Sequence, residues 1–290
     1  MKFGINLAFM RAERRADVAR HAEAAGFESV WMPDHLVLPI AIDSHYPYSP
    51  TGEAPLPPHV PLMDPLASIA FMAGSTSRIN FGIAVYILPL REFFVTARNV
   101  LTLDTLSGGR LLFGAGVGWM REEYELAGRD WRNRGRIMDE YVRALRVLWT
   151  QEEPEFHGEF LDFARLYFDP KPARPGGPPI IIGGESAPAM RRAAVLGDGW
   201  IGLGATPEEA RAHVERLTEL RRRAGRESEP FEVTLGGRVT TLDDVRAYAD
   251  AGVHRLIVNP WMHPREAIST IEEFGDRIIS RLSAGGPRDE

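Results

Sequence analysis

The chain has no cysteine among its 290 residues, which excludes disulfides, thiolate metal ligands and a cysteine nucleophile. It has no basic surplus either. With 34 Lys and Arg against 40 Asp and Glu, its formal charge is −6, which argues against general nucleic-acid binding because phosphate neutralisation needs a basic surface. No apolar run approaches membrane-spanning length, and the opening MKFGINLAFMRAERR lacks the uninterrupted apolar stretch of a secretory signal. The expectation is a cytoplasmic protein. Gly114, Gly116 and Gly118 do not form G-x-G-x-x-G, and neither a dinucleotide fingerprint opening a helix after a strand nor a Walker loop occurs, so nicotinamide and ATP sites have no motif support. The eight histidines include no H-x-H and no H-E-x-x-H, and no metal centre is expected.

What is present is a β-then-α alternation, and 44% hydrophobic residues suffice for one large core. Strands are expected at 3–7, 28–32, 79–88, 111–113, 179–182, 200–203, 231–235 and 255–258. Helices follow them, among them 13–25, 92–106, 207–223, 242–251 and 265–282. Ile137, Tyr141, Ala144, Leu145 and Leu148 recur at helical spacing. Asp64 and Pro65 fit the cap and first turn of another helix. Eight such units predict one α/β domain over 1–290, a (β/α)8 TIM barrel with insertions after strand 2 and before strand 5. The first insertion, 36–62, is proline-rich and long enough to be a lid. The second, 151–178, is expected as a short strand pair covering the barrel. Residues 284–290 are expected to fray.

Chemistry is expected where barrel strands end at the carboxyl side. In SGGRLLFGAGVGWMREEY, the turn 107–110 therefore reads as stability and the exit 116–122 as function. Asp34 and His35 directly follow strand 2, where a histidine can exchange a proton and a neighbouring carboxylate can orient it. The alternative is a capping Asp34 and a structural His35. Gly183, Gly184, Glu185 and Ser186 lie between a strand and a helix, either as an anion cradle or as a simple glycine turn. Gly116, between Gly114 and Gly118, leaves room for a planar ligand against the strand end or for tight packing. Trp119, His45, Trp131, Trp261 and His263 lie in predicted loops as possible substrate-pocket residues, and Tyr46 belongs to the first insertion.

Four stretches carry a resemblance: AEAAGFESVWMPDH (22–35), DPLASIAFMAGSTSRINFGIAV (64–85), TLDTLSGGRLLFGAGVGWMREEY (102–124) and PPIIIGGESAPAMRRAAVLGDGWI (178–201). Over roughly residues 1–205 the chain resembles the luciferase-like monooxygenase superfamily, in particular its coenzyme F420-dependent oxidoreductases. The resemblance implies a flavin or deazaflavin at the barrel mouth, a small-molecule substrate and a homodimer. It further implies Asp34 at the cofactor, His35 as proton acceptor and a non-prolyl cis peptide at Ala84–Val85. Ile181, Ile182, Gly183, Gly184 and Ile201 would line the cofactor, with the glycines near its phosphate. The sugar-phosphate-oxidising branch has a glutamate directly after its Gly-x-Gly, where this chain has Val117. The expected activity is hydride transfer between F420 and an unidentified organic substrate. The alternatives are an FMN-dependent monooxygenase fed by a separate flavin reductase, and a cofactor-binding protein without turnover.

Overall fold

The structure, a computed structural model, describes residues 1–56, 59 and 62–284. Pro57, Pro58 and Pro61 of the first insertion lie outside the described residues, as do 285–290 of the tail 284–290 expected to fray, whereas Ala284 ends a helix. The elements are β1 (Lys2–Asn6), α1 (Ala12–Ala24), β2 (Ser29–Met32), α2 (Pro65–Ala73), β3 (Asn80–Ile83), β4 (Tyr86–Ile87), α3 (Phe93–Leu106), β5 (Leu111–Gly116) and α4 (Arg121–Leu126). They continue with α5 (Arg134–Thr150), β6 (Phe156–His157), β7 (Asp162–Phe163), β8 (Ile180–Gly183), α6 (Ala187–Leu196), β9 (Gly199–Gly202), α7 (Pro207–Arg223), β10 (Glu232–Gly236), α8 (Leu242–Asp250), β11 (Arg255–Val258) and α9 (Ala267–Phe274). Parallel pairing runs β1-β2-β3-β5-β8-β9-β10-β11 and returns to β1. The sheet is a closed (β/α)8 barrel, as the alternation predicts.

Strands buried on both faces explain why the sequence signal was apolar runs rather than alternation: β2, β5, β9 and β11 are buried throughout. One face packs under the helices. The other forms a small interior cluster of Trp31, Leu112, Ile181, Ile201 and Ile257. Trp31 fills most of that space, with its indole N–H on Ser29 Oγ at 2.8 Å. A Cβ at Gly82 would enter the Trp31 ring, so the glycine is required by close approach, not by turn geometry.

Local chemistry sets the helix starts. Asp64 accepts from the Ala67 amide at 2.8 Å, and Thr206 forms a reciprocal capping box with Glu209. Ile137, Tyr141, Ala144, Leu145 and Leu148 are all buried.

The structure refines the expected elements. The continuous third strand is broken into β3 and β4 around a cis Ala84–Val85 peptide, and β5 runs on to Gly116. The acidic segment after Trp119 is a helix, α4. The long last helix widens into a π turn at Gly275–Ile279, where Gly275 lies against the backbone of Ala25. The second insertion does form a hairpin, β6 with β7, but it packs on outer helices: Phe163 meets Phe93 and Phe94 of α3, and Glu140 of α5 accepts from the amides of 159–161. It covers the helical layer on the outside of the barrel, because its aromatic side chains find partners on α3, and none of its residues reaches the wall of the cavity at the barrel mouth.

Candidate active site

A cavity of about 700 Å3 opens at the carboxyl ends of the strands, and residues at or beyond all eight barrel strands reach its wall. Its volume is that of a small-molecule or cofactor site. The floor is apolar and continuous with the barrel interior: Trp31, Ala84, Val85, Ile201 and Ile257.

Asp34 and His35 stand on the wall at the exit of β2. Asp34 ties that exit to the next strand, accepting from the Ile87 amide at 2.9 Å and from Arg91 Nη2 at 2.6 Å. Burial pushes the Asp34 carboxyl upward, while Arg91 and the Ile87 amide oppose the shift. The side chain is wholly buried, so its position anchors the loop that presents His35.

His35 Nδ1 is 3.0 Å from Glu123 Oε2, and the Glu123 side chain is 1% exposed. The same carboxylate accepts from the amides of Leu36 and Val37. A buried carboxylate with these partners makes Nδ1 the donor nitrogen, leaving Nε2 without a protein partner among the described residues. Glu123 escaped the sequence reading, which gave function to 116–122; the signal was the apolar–acidic pattern of GWMREEY, readable only once α4 is known to be a helix. Its neighbour Glu122 binds the amides of Asp43 and Ser44 and the Ser44 hydroxyl, at 2.8, 3.0 and 2.7 Å. Two adjacent glutamates of α4 thus pin the first insertion at its root and at its middle.

Pinned in this way, the insertion folds over the cavity. Tyr46 lies edge-on to Trp119 with centroids 5.0 Å apart, Trp119 is edge-on to His35 at 6.1 Å, and Tyr46, Tyr48 and Trp119 are all wall residues. The Tyr48 hydroxyl is pushed up to about 12 by burial and by the charge of Glu185. The other loop residues considered for the pocket are elsewhere. Trp131 packs on Tyr124, Trp261 is in the main core, and neither His45 nor His263 reaches the wall.

The glycine positions divide similarly. Gly184 is on the wall with φ +110, its amide bonded to Ile201 O at 3.2 Å. Gly116 and Gly183 are not on the wall. They flank Val85, and a Cβ on either would run into its methyl groups. Their smallness lets the Ala84–Val85 step protrude into the floor. Ile181 packs beneath that step, whereas Ile182 belongs to the main core. Neither isoleucine lines the cavity, because the alternation of a strand turns Ile182 outward and the Val85 step covers Ile181. Glu185 accepts from the Leu203 amide at 2.9 Å and is not on the cavity wall.

Among the described residues no group of histidine and acidic side chains could hold a metal ion, and no helix is long and apolar enough to cross a membrane.

Comparison with known proteins agrees with the barrel fold. The chain is 34% identical over 277 residues to an uncharacterised protein of Mycobacterium tuberculosis, covering 91% of this chain and 94% of that one. It is 32% identical over 126 residues to an FMNH2-dependent dimethylsulfone monooxygenase of Pseudomonas putida, covering 42% and 35%. The fold matches the coenzyme F420-dependent tetrahydromethanopterin reductase of Methanopyrus kandleri with a TM-score of 0.76 at 16% identity, over 97% of this chain and 99% of that one. The luciferase-like monooxygenase family model matches residues 1–281. With barrel, floor and family match together, the chain belongs to the luciferase-like monooxygenase family.

Proposed function

We propose that the protein is a coenzyme F420-dependent oxidoreductase that moves a hydride between the deazaflavin and an organic substrate. The observation that carries this reading is His35, held by buried Glu123 with Nε2 unpartnered, on the wall of a cavity with an apolar floor. The residues fit such a cofactor. The Val85 step between Gly116 and Gly183 gives a planar ring an apolar support, and Gly184, on the wall just before the start of α6, would stand near the cofactor's phosphate.

When bound, the cofactor supplies the hydride acceptor or donor. The chain's own residues then have separate tasks. Trp31, Ala84, Val85, Ile201 and Ile257 keep water from the ring face. Trp119 and Tyr46, with the pinned insertion, cover the substrate side. In substrate oxidation, His35 Nε2 takes the proton that leaves as the hydride departs; in reduction it returns that proton. Glu123 keeps the ring in the tautomer that allows this. Asp34, whose oxygens hold Ile87 and Arg91, fixes the loop at the cofactor edge.

Matched equilibrium titrations with coenzyme F420 and FMN test the cofactor. Preference for F420 by about tenfold or more, or 1.4 kcal/mol, is the expected result. Preference for FMN would reassign the protein to flavin-dependent monooxygenation with a separate reductase, a second reading favoured by the similarity to the dimethylsulfone monooxygenase.

A further inference from the structure

Asp34 is the one carboxylate on the cavity wall among the described residues, and Arg91 already pairs with it. Arg15 is in a different situation. It stands in the first turn of α1, is 5% exposed and is part of the wall. Its Nε donates to Met10 O at 3.1 Å and its Nη1 to Ser68 Oγ at 2.8 Å. Among the described residues Nη2 has no hydrogen-bond partner and no carboxylate lies within ion-pair distance of the guanidinium. Burial pushes the group below the usual arginine range, and no acidic neighbour offsets it. Arg221, also 5% exposed, differs on both counts: it lies away from the cavity, and Glu229 and Glu227 act on its charge.

A buried cation without a counter-charge is unfavourable, and a guanidinium fork matches a carboxylate. The surroundings specify the rest of the ligand. Phe9, Met32, Leu56, Leu62 and Met63 give the same cavity wall an apolar surface, and Phe9 has φ 62, a conformation unusual for a bulky side chain. A second cation, exposed Arg238, follows β10 on the wall, and β10, β11 and β1 are consecutive in the barrel. Positive charge is thus gathered in one sector of the mouth.

We infer that the substrate is an organic anion with an apolar body, whose carboxylate seats on Nη2 of Arg15. The inference deepens the oxidoreductase reading, because it assigns the substrate class of the same cavity. Its test needs neither cofactor nor turnover, so it fails separately from that reading.

Hexanoate and hexanamide have nearly the same shape and differ in charge, and calorimetric titration of the cofactor-free full-length protein with each isolates the anionic contribution. Hexanoate is expected to bind about tenfold or more tightly than hexanamide, with the preference shrinking as salt is raised. Arg15→Met is expected to abolish the preference while leaving hexanamide binding unchanged. Arg238→Met is expected to retain it. A purely structural Arg15, serving only to join Met10 to Ser68, would alter thermal stability but not the acid-to-amide ratio. Absence of hexanoate binding, equal affinity for the two probes, or a preference that survives Arg15→Met would overturn the inference. Loss of the preference in Arg238→Met alone would overturn it too, by moving the anion to Arg238. If Arg15→Met fails to fold, Arg15→Gln, which keeps a donor for Met10, is judged by the same ratio.

Discussion

Arg255 and Arg15 are both buried arginines in one barrel, 1% and 5% exposed, at opposite ends of it. Arg255, at the start of β11, bonds both oxygens of Glu28 at 2.8 and 2.9 Å, reaches Glu232 at 2.8 Å and donates to Thr234 at 3.1 Å. Arg15, at the mouth, has a carbonyl and a hydroxyl. The contrast extends to the surrounding ends. At the amino-terminal end Arg110 donates to the carbonyls of Ala73, Ile79 and Ser107, and Asp198 accepts from the Ile180 amide. These groups meet one another, although Asp104 Oδ1 and Arg221 Nη1 at the same end are buried without a hydrogen-bond partner among the described residues. At the mouth His35 Nε2 and Arg15 Nη2 face a cavity. One end closes the fold, and the other keeps bonding capacity for a ligand.

Variants at each end sharpen this contrast. The largest effect is expected from His35→Ala, which should lower turnover by about 10²–10⁴-fold, the range of a lost general acid or base, with cofactor affinity unchanged. Steady-state rates together with a cofactor titration check it; unchanged turnover would remove His35 from the chemistry. At the closed end, Arg255→Met leaves Glu28 and Glu232 facing one another without their shared cation, and should cost about 3–5 kcal/mol in urea denaturation. Arg15→Met orphans no carboxylate and should cost only about 1 kcal/mol in the same experiment. Equal losses at the two arginines would erase the distinction between the ends.

A smaller effect concerns pH. Burial opposes ionisation of Glu23, but the amides of Ile79, Arg78 and Ser77 together draw its carboxyl from 4.5 down to about 2. A carboxyl depressed on folding adds stability above its ordinary value, and that stability is lost as pH falls from about 4.5 toward 2. Wild-type stability should therefore decline over this window. Glu23→Gln should lower stability by about 2 kcal/mol at neutral pH and flatten the decline; an unchanged acid transition would exclude Glu23 as a contributor.

Much of the barrel was legible because its signals are local. Apolar runs such as Ile180–Ile182 and Arg255–Val258 read as buried strands, and Thr206 with Glu209 or Asp64 with Pro65 mark helix starts within four residues. The site was legible in part. Asp34, His35, Tyr46, Trp119, Ala84, Val85, Gly184 and Ile201 are on the cavity wall, reached through their place at strand ends or through the family resemblance. Gly116, Gly183 and Ile181 are one layer below, because Val85 occupies the space they border, and Ile182 faces the outer core. The hairpin at 156–163 was expected over the barrel and lies on its helices, since its aromatic content looks alike in either place.

Pattern along the chain by itself determined the eight alternating units, the Asp64 helix cap and the strand ends at which the cavity opens. These follow from hydrogen-bonding and burial requirements that neighbouring residues settle among themselves. The tertiary structure decided which distant groups meet: Glu123 with His35 across 88 residues, Arg91 with Asp34 across 57, and Arg15 with Ser68 across 53. It also decided which buried charge receives a partner. That depends on how the strands close and where each loop crosses the mouth, and no local interaction carries that information.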